Sequence, residues 1–276
     1  MPPEAGQSRG VTRRQTEGFF AAGAVALLAG LVGLGGAEFR LPILKGWFRL
    51  PSLRAVIFNK ATSLVVVAFA LLFRSHEIPF AQLGEHAGII LNLLGGSLIG
   101  AWVSAGAAMR ISEEMLDRII MVLLLALAFL LLANHTVTAE PGVLFEAAWA
   151  QTLAGLIAGF GVGTVAAVLG VAGGELLIPA IVLLYGVDVK LAGSLSLAIS
   201  LPTMLVGFFR YSRGEAFGVL REERGLLASM VFGSIVGVGG GALLLGMVPT
   251  DALIVLLALL LIVSAYKIFR HNKGIQ

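Results

Sequence analysis

The stretch LVGLGGAEFRLPIL, residues 31–44, sets a glycine pair, a carboxylate, an arginine and a proline inside apolar sequence, and VLGVAGGELLIPAI, residues 168–181, repeats the pattern. Gly35 and Gly36 let the chain leave a helix without steric cost, and Pro42 suits the opening turns of a new short helix. Both stretches therefore read as broken helices. The chain that carries them is 58% apolar and 13% charged, with a mean hydropathy of +0.97. Such a composition lies far outside that of soluble domains and belongs to an integral membrane protein. Runs such as Ala87–Ala108, Leu191–Phe209 and Gly225–Pro249 are long enough as helices to cross roughly 30 Å of hydrocarbon at about 1.5 Å per residue.

Several function classes fall away at once. The sequence has no cysteine, which removes disulfides, thiolate metal sites and cysteine nucleophiles. A net charge of +3, with no dense basic run interleaved with aromatics, gives no nucleic-acid surface. GVGGG at Gly237 and GAWVSAGAA at Gly100 lack the Lys-Ser or Lys-Thr of a phosphate loop and read as close-packing helix faces. TRRQTEGFF near the N-terminus carries a twin arginine, but no small-residue cleavage site follows, so Arg13 and Arg14 read as anchors of the first helix. Trp47, Phe48, Trp149 and Tyr266 lie near segment ends, where aromatic side chains anchor at the membrane interface. Nothing points to a cofactor or a metal.

An internal repeat organises the chain. Shifting the sequence by 137 positions aligns Gly33 with Gly170, Gly36 with Gly173, Glu38 with Glu175 and Pro42 with Pro179. The same ungapped offset pairs Ala55 with Ala192, Ser63 with Ser200, GSLIG at Gly96 with GSIVG at Gly233, and Glu114 with Asp251. One offset that holds over such a distance indicates duplication. The halves run 1–138 and 139–276, joined by the polar NHTVTAEPG loop that begins at Asn134, and together form one membrane domain.

Each half contains a Gly-broken segment followed by three helices, and basic residues bear on whether the broken segment spans or turns back. A single crossing per half would put Lys45, Arg49, Arg54, Arg110, Arg118 and Lys190 outside. A hairpin leaves three crossings per half and inverts the repeats. Of the 19 Lys and Arg, only Arg74 and Lys190 then fall outside, Arg40 and Lys60 lie within the bilayer and the rest are inside. The positive-inside rule favours the second arrangement. The expected fold is all-α, with two inverted repeats, each a Gly-broken helical hairpin plus three transmembrane helices, and both termini cytoplasmic.

Backbone broken at membrane depth is tolerated where it is buried in protein or lines a wet cavity, and the N-terminus of a half-helix carries partial positive charge. Paired breaks in matching places of inverted halves point to the central site of a transporter. The expected site therefore gathers Gly35, Gly36, Ala37, Gly173 and Gly174 at the breaks. Arg40 and Lys60 add cations at a depth where charge is costly, and their repeat partners are Leu177 and Leu197. The rival reading pairs Arg40 with Glu38 and lets Lys60 reach the interface. Asn59 and Ser63 share a helix face, as do Ser196 and Ser200, and could donate to oxyanion oxygens or simply bond helix to helix. Glu38 and Glu175 fit either helix stabilisation or proton-coupled gating.

The duplicated motif, GLGGAEFRLP and GVAGGELLIP, followed by a small-polar NKATSL or SLSLAIS helix face, resembles the TauE/SafE sulfite-exporter family over about Gly18 to Phe269. That resemblance implies a bacterial inner-membrane or plant permease for sulfite, an organosulfonate or another small organic anion, with the lipid bilayer and the anion as partners. Ala37 stands where the second copy has Gly174, so the site is not expected to be symmetric. Coupling to protons or sodium, and homo-oligomer formation, stay open. An intramembrane enzyme using GSLS at Gly193 would need a base at depth, whereas His76, His86, His135 and His271 all lie in loops or near segment ends. A non-transporting scaffold would leave the duplicated break without a purpose.

Overall fold

The computed structural model describes residues 4–107, 121–122, 125–126, 128–129, 132, 144–145, 147–169, 173–211 and 218–273. The last helix expected in the first half, with Glu114, and the joining loop lie largely or wholly outside the described residues. Among the described residues the chain is helical and has no strand. Its elements are α1 (Glu4–Val32), α2 (Ala37–Pro42), α3 (Ser52–Arg74), α4 (Phe80–Glu85), α5 (Ala87–Ala107), α6 (Ala148–Leu169), α7 (Gly174–Tyr185), α8 (Val189–Tyr211), α9 (Val219–Glu222), α10 (Arg224–Leu245) and α11 (Thr250–Lys273). The apolar runs expected from the sequence emerge as α5, α8 and α10.

Five stretches are long and apolar enough to cross a membrane: Thr12–Val32, Arg54–Arg74, Ala148–Ala166, Val189–Val206 and Arg224–Leu245. Two of them, in α1 and α6, are the first arms of the broken segments. Each broken segment nevertheless folds back on itself. After α2 the chain passes through a π-helical turn, Ile43–Trp47, and returns alongside α1 to its middle, where Trp47 Nε1 donates to Glu17 Oε2 at 3.1 Å. Arg14 Nη2 donates to Phe48 O at 3.3 Å at the same level. In the second half, Leu144 N donates to Leu183 O at 3.0 Å, which brings the end of α7 beside the start of α6.

The prolines act differently in the two return arms. Pro42 lacks the N–H that an α-helix needs, and the chain widens into a π turn directly after it. Pro179 sits at the same repeat position inside α7, which continues as α-helix to Tyr185.

Tight packing between helices of different halves holds the fold together. α1 lies along α10 in the same direction, with Gly23 on the carbonyl of Gly233 and Gly30 on Val238. α5 lies along α6 in the same direction, with Gly96 on Leu156 O and Gly100 on Phe160 O. Cβ atoms at Gly96, Gly100, Gly237 or Gly241 would overlap backbone carbonyls, so these glycines are the small-residue contact faces that let membrane helices approach. α3 and α8 pack in opposite directions, the end of α3 meeting the start of α8. Large side chains on the outer faces, such as Trp102, Trp149 and Leu243, are about three-quarters exposed, which suits contact with lipid. Phe48 departs from the expected interface role. It is buried against Gly18, with the Arg14 guanidinium 5.9 Å from its ring centre.

Candidate functional site at the paired helix breaks

The breaks are made where glycine alone is comfortable. Gly36 caps α2 at φ 65° and Gly173 caps α7 at φ 75°, left-handed conformations that cost other residues about 1–2 kcal/mol. In the first copy the second left-handed residue is Gly33, at φ 94°, rather than Gly35. Its repeat partner Gly170 lies outside the described residues. The two breaks touch: a Cβ on Gly174 would stand 3.3 Å from Leu34 Cα and 3.5 Å from Gly33 O.

On one side of the first break lies a buried polar group. Arg40 is fully buried, and its Nη1 donates to Ser63 Oγ at 2.9 Å and to Asn59 Oδ1 at 3.4 Å. Asn59 Nδ2 donates in turn to Ala37 O at 2.9 Å. The face shared by Asn59 and Ser63 thus receives the arginine that follows the break. Lys60, also buried, occupies the same turn of α3. Glu38 is the second residue of α2, and its side chain lies outside the described residues.

The second half serves the other side of the break. Ser196 Oγ donates to Gly33 O at 2.9 Å and is also within hydrogen-bond reach of Gly193 O, at 3.0 Å. Ser200, one turn further along α8, and Glu175, in the first turn of α7, are both buried. α7 is buried from Gly174 to Leu184, and apart from Glu175 its lining is aliphatic. The structure therefore gathers Gly36, Ala37, Arg40, Asn59 and Ser63 on one side and Gly174 and Ser196 on the other, with Gly33 and Leu34 between them.

One residue at the break escaped the sequence reading. Arg74 was counted there among loop cations, yet it is fully buried. Its Nη1 donates to Gly30 O at 2.8 Å and Leu31 O at 2.7 Å, its Nη2 to Lys190 O at 2.6 Å and its Nε to Ser194 Oγ at 3.1 Å. The signal available in sequence was weak: an arginine at the end of an apolar helix normally extends toward the interface.

Among the described residues no group of three or more His, Asp or Glu is placed to hold a metal ion. The arrangement can cradle a small group with fixed donors and positive charge at a point where three helices end. Neither the search of curated proteins nor that of solved structures found a match. The family model described as Sulfite exporter TauE/SafE matches residues 18–268, nearly the whole chain and both breaks. The chain is a member of the TauE/SafE sulfite-exporter family and an integral membrane transporter.

Proposed function

We propose that the protein is a permease for a small sulfur-containing anion, such as sulfite or an organosulfonate, bound near the membrane midplane where the two broken segments meet. The observation that carries this reading is the buried Arg40–Asn59–Ser63 group beside a contact between both breaks. A cation and fixed donors in a water-poor place compensate an anion for the hydration it loses. Arg40, Asn59, Lys60 and Ser63, with the backbone at Gly35, Gly36, Ala37, Gly173 and Gly174, form the anion side of the site. Ser196 and Ser200 complete it from α8. Another small organic anion would use the same groups.

The two halves, 1–138 and 139–276, are inverted repeats of one membrane domain. Helix directions support this: α1, α3 and α10 run one way and α5, α6 and α8 the other, and the 137-residue shift carries each set onto its opposite. The expected setting is a bacterial inner membrane with both termini cytoplasmic. There an inside-negative potential favours export of one negative charge by about 2.3 kcal/mol per 100 mV. Import would need proton or sodium coupling, for which Glu38 and Glu175 are the carboxylates at hand.

Purified protein in vesicles, tested with sulfite, thiosulfate, sulfoacetate, taurine and simple carboxylates, is expected to pass at least one sulfur anion. A protein inert toward the whole panel ends this reading. The sequence's lack of cysteine makes Arg49→Cys and Asp188→Cys clean labelling probes, and they are expected to label from opposite sides of the membrane. Labelling from the same side would mean parallel halves.

A further inference from the structure

The first break exposes two kinds of helix end, and they are electrically opposite. α1 stops at Val32; Ala29 O accepts from Gly33 N and Leu34 N, but the carbonyls of Gly30 and Leu31 lack intrahelical donors and belong to the negative end of the helix dipole, roughly half an elementary charge. Left bare, that end would repel an anion at the break and welcome a cation. Arg74 covers it. Its four hydrogen bonds go to the carbonyls of Gly30, Leu31 and Lys190 and to the Ser194 hydroxyl, all neutral groups. None of these contacts is with a carboxylate; the nearby Asp188 carboxylate also attracts the guanidinium, but it is exposed and its oxygens bond to Lys190 N and Thr250 Oγ1. Because solvent screens Asp188 while Arg74 lies buried against the carbonyls, the end of α1 carries partial positive charge in place of partial negative charge. At the matching repeat position the second half has Tyr211 rather than an arginine.

We infer that Arg74 sets the charge selectivity of the pathway, converting the C-terminal end of α1 from a wall that repels anions into one that attracts them. It acts from behind the break as a positioning residue and does not touch the substrate. Packing keeps it there: a Cβ at Gly193 would stand 2.7 Å from Arg74 Nη2. This inference rests on the anion-permease reading above.

The test must separate charge from helix capping, since replacing Arg74 outright removes both. Ser194 offers the separation, because its hydroxyl lies 3.1 Å from Arg74 Nε. Ser194→Asp would neutralise the guanidinium while leaving its bonds to Gly30 and Leu31 in place, and Ser194→Asn is the uncharged control of the same shape. Sulfite efflux and sodium leak would be measured from vesicles containing full-length parent, Ser194→Asp, Ser194→Asn and Arg74→Lys, with thermal unfolding alongside. Ser194→Asp is expected to lose about tenfold or more of the sulfite-to-sodium ratio, as an electrostatic change of one charge in a partly dry site should produce. Ser194→Asn and Arg74→Lys are expected to keep most of it. Equal ratios in folded Ser194→Asp and Ser194→Asn would overturn the inference and leave Arg74 a helix cap. Should Ser194→Asp fail to fold, a folded Arg74→Lys whose ratio collapses overturns it, and one whose ratio holds upholds charge over the five-donor fork. A parent without flux for any anion of the panel would sink the permease reading itself, a different outcome from either.

Discussion

The two broken segments share a pattern and differ in how their backbone is supported. In the first, long cationic side chains do the work: Arg40 ties α2 to Asn59 and Ser63 on α3, and Arg74 holds the carbonyls at the end of α1. In the second, α7 is a longer helix buried among aliphatic side chains, and Leu177 and Leu197 stand where the first half has Arg40 and Lys60. The two breaks share a sequence pattern, and the first carries arginine and lysine where the second carries leucine. A buried cation is costly to keep, so its retention on one side only is better suited to a ligand than to folding. The apolar copy demonstrates that such a break can be packed without one.

The largest effect is expected where the halves touch. Gly193 lies against Gly33 and Val32 O, and any Cβ there collides with backbone that has no room to move. Gly193→Val should cost about 3 kcal/mol or more and yield little folded protein in detergent. A Cβ on Gly174 would stand 3.3 Å from Leu34 Cα, a tight contact that a shift of a few tenths of an ångström relieves, so Gly174→Ala should remain folded with a small drop in thermal midpoint. If both variants unfold equally, the contact is uniform and the two sides of the break are not distinguished by packing.

A smaller but more telling effect is expected at the charged positions. Arg40→Ala removes a charge-assisted hydrogen bond to Ser63, worth about 1.5–3 kcal/mol, and should slow anion flux by roughly 10- to 100-fold. Arg40→Lys should recover part of the loss, because charge is kept while the planar fork is not. Leu177→Arg, the same charge placed in the other copy, should destabilise the protein without raising flux, since its surroundings on α7 are aliphatic. Normal flux in Arg40→Ala would remove Arg40 from the anion pathway. Double replacement of Glu38 and Arg40 by Gln that matched the parent in flux and stability would reduce Arg40 to a partner of Glu38.

Much of this arrangement was legible in the sequence. Glycine beside glycine in an apolar run forecasts a break because no other residue tolerates left-handed backbone cheaply, and both breaks formed, at Gly36 and Gly173. The four-residue spacing of Asn59 and Ser63 forecast a common face, and Arg40 bonds to both. What sequence could not supply was distance between segments. Arg74 and Gly30 are 44 positions apart, and nothing local to Arg74 marks it as a cap for another helix. The length of the first arms pulls against the charge count: Thr12–Val32 is long enough to span, whereas the distribution of Lys and Arg favours a return, and the contacts of Trp47 and Phe48 with α1 bring the chain back.

The smallest effect is expected at the return end of the first segment, and it completes the contrast between buried and exposed cations. There Arg54 Nη1 pairs with Glu222 Oε2 at 2.7 Å and Arg14 with Glu223 at 3.3 Å, and all four side chains are between about a quarter and three-fifths exposed. Pairs of this kind gain little in water, because a high dielectric weakens the attraction and two long side chains lose freedom to make it. Typical measured values lie at about 0.2–1 kcal/mol. Arg54→Gln should therefore lower the thermal midpoint slightly in dilute buffer, and the difference from the parent should shrink at about 1 M salt, where screening acts within roughly 3 Å. Flux should stay within about twofold of the parent, in contrast to Arg40, whose partners are sealed from solvent. A salt-independent loss of flux in Arg54→Gln would mean that the outer pairs hold a moving part of the pathway, and the division into a charged inner site and a merely anchoring rim would then fail.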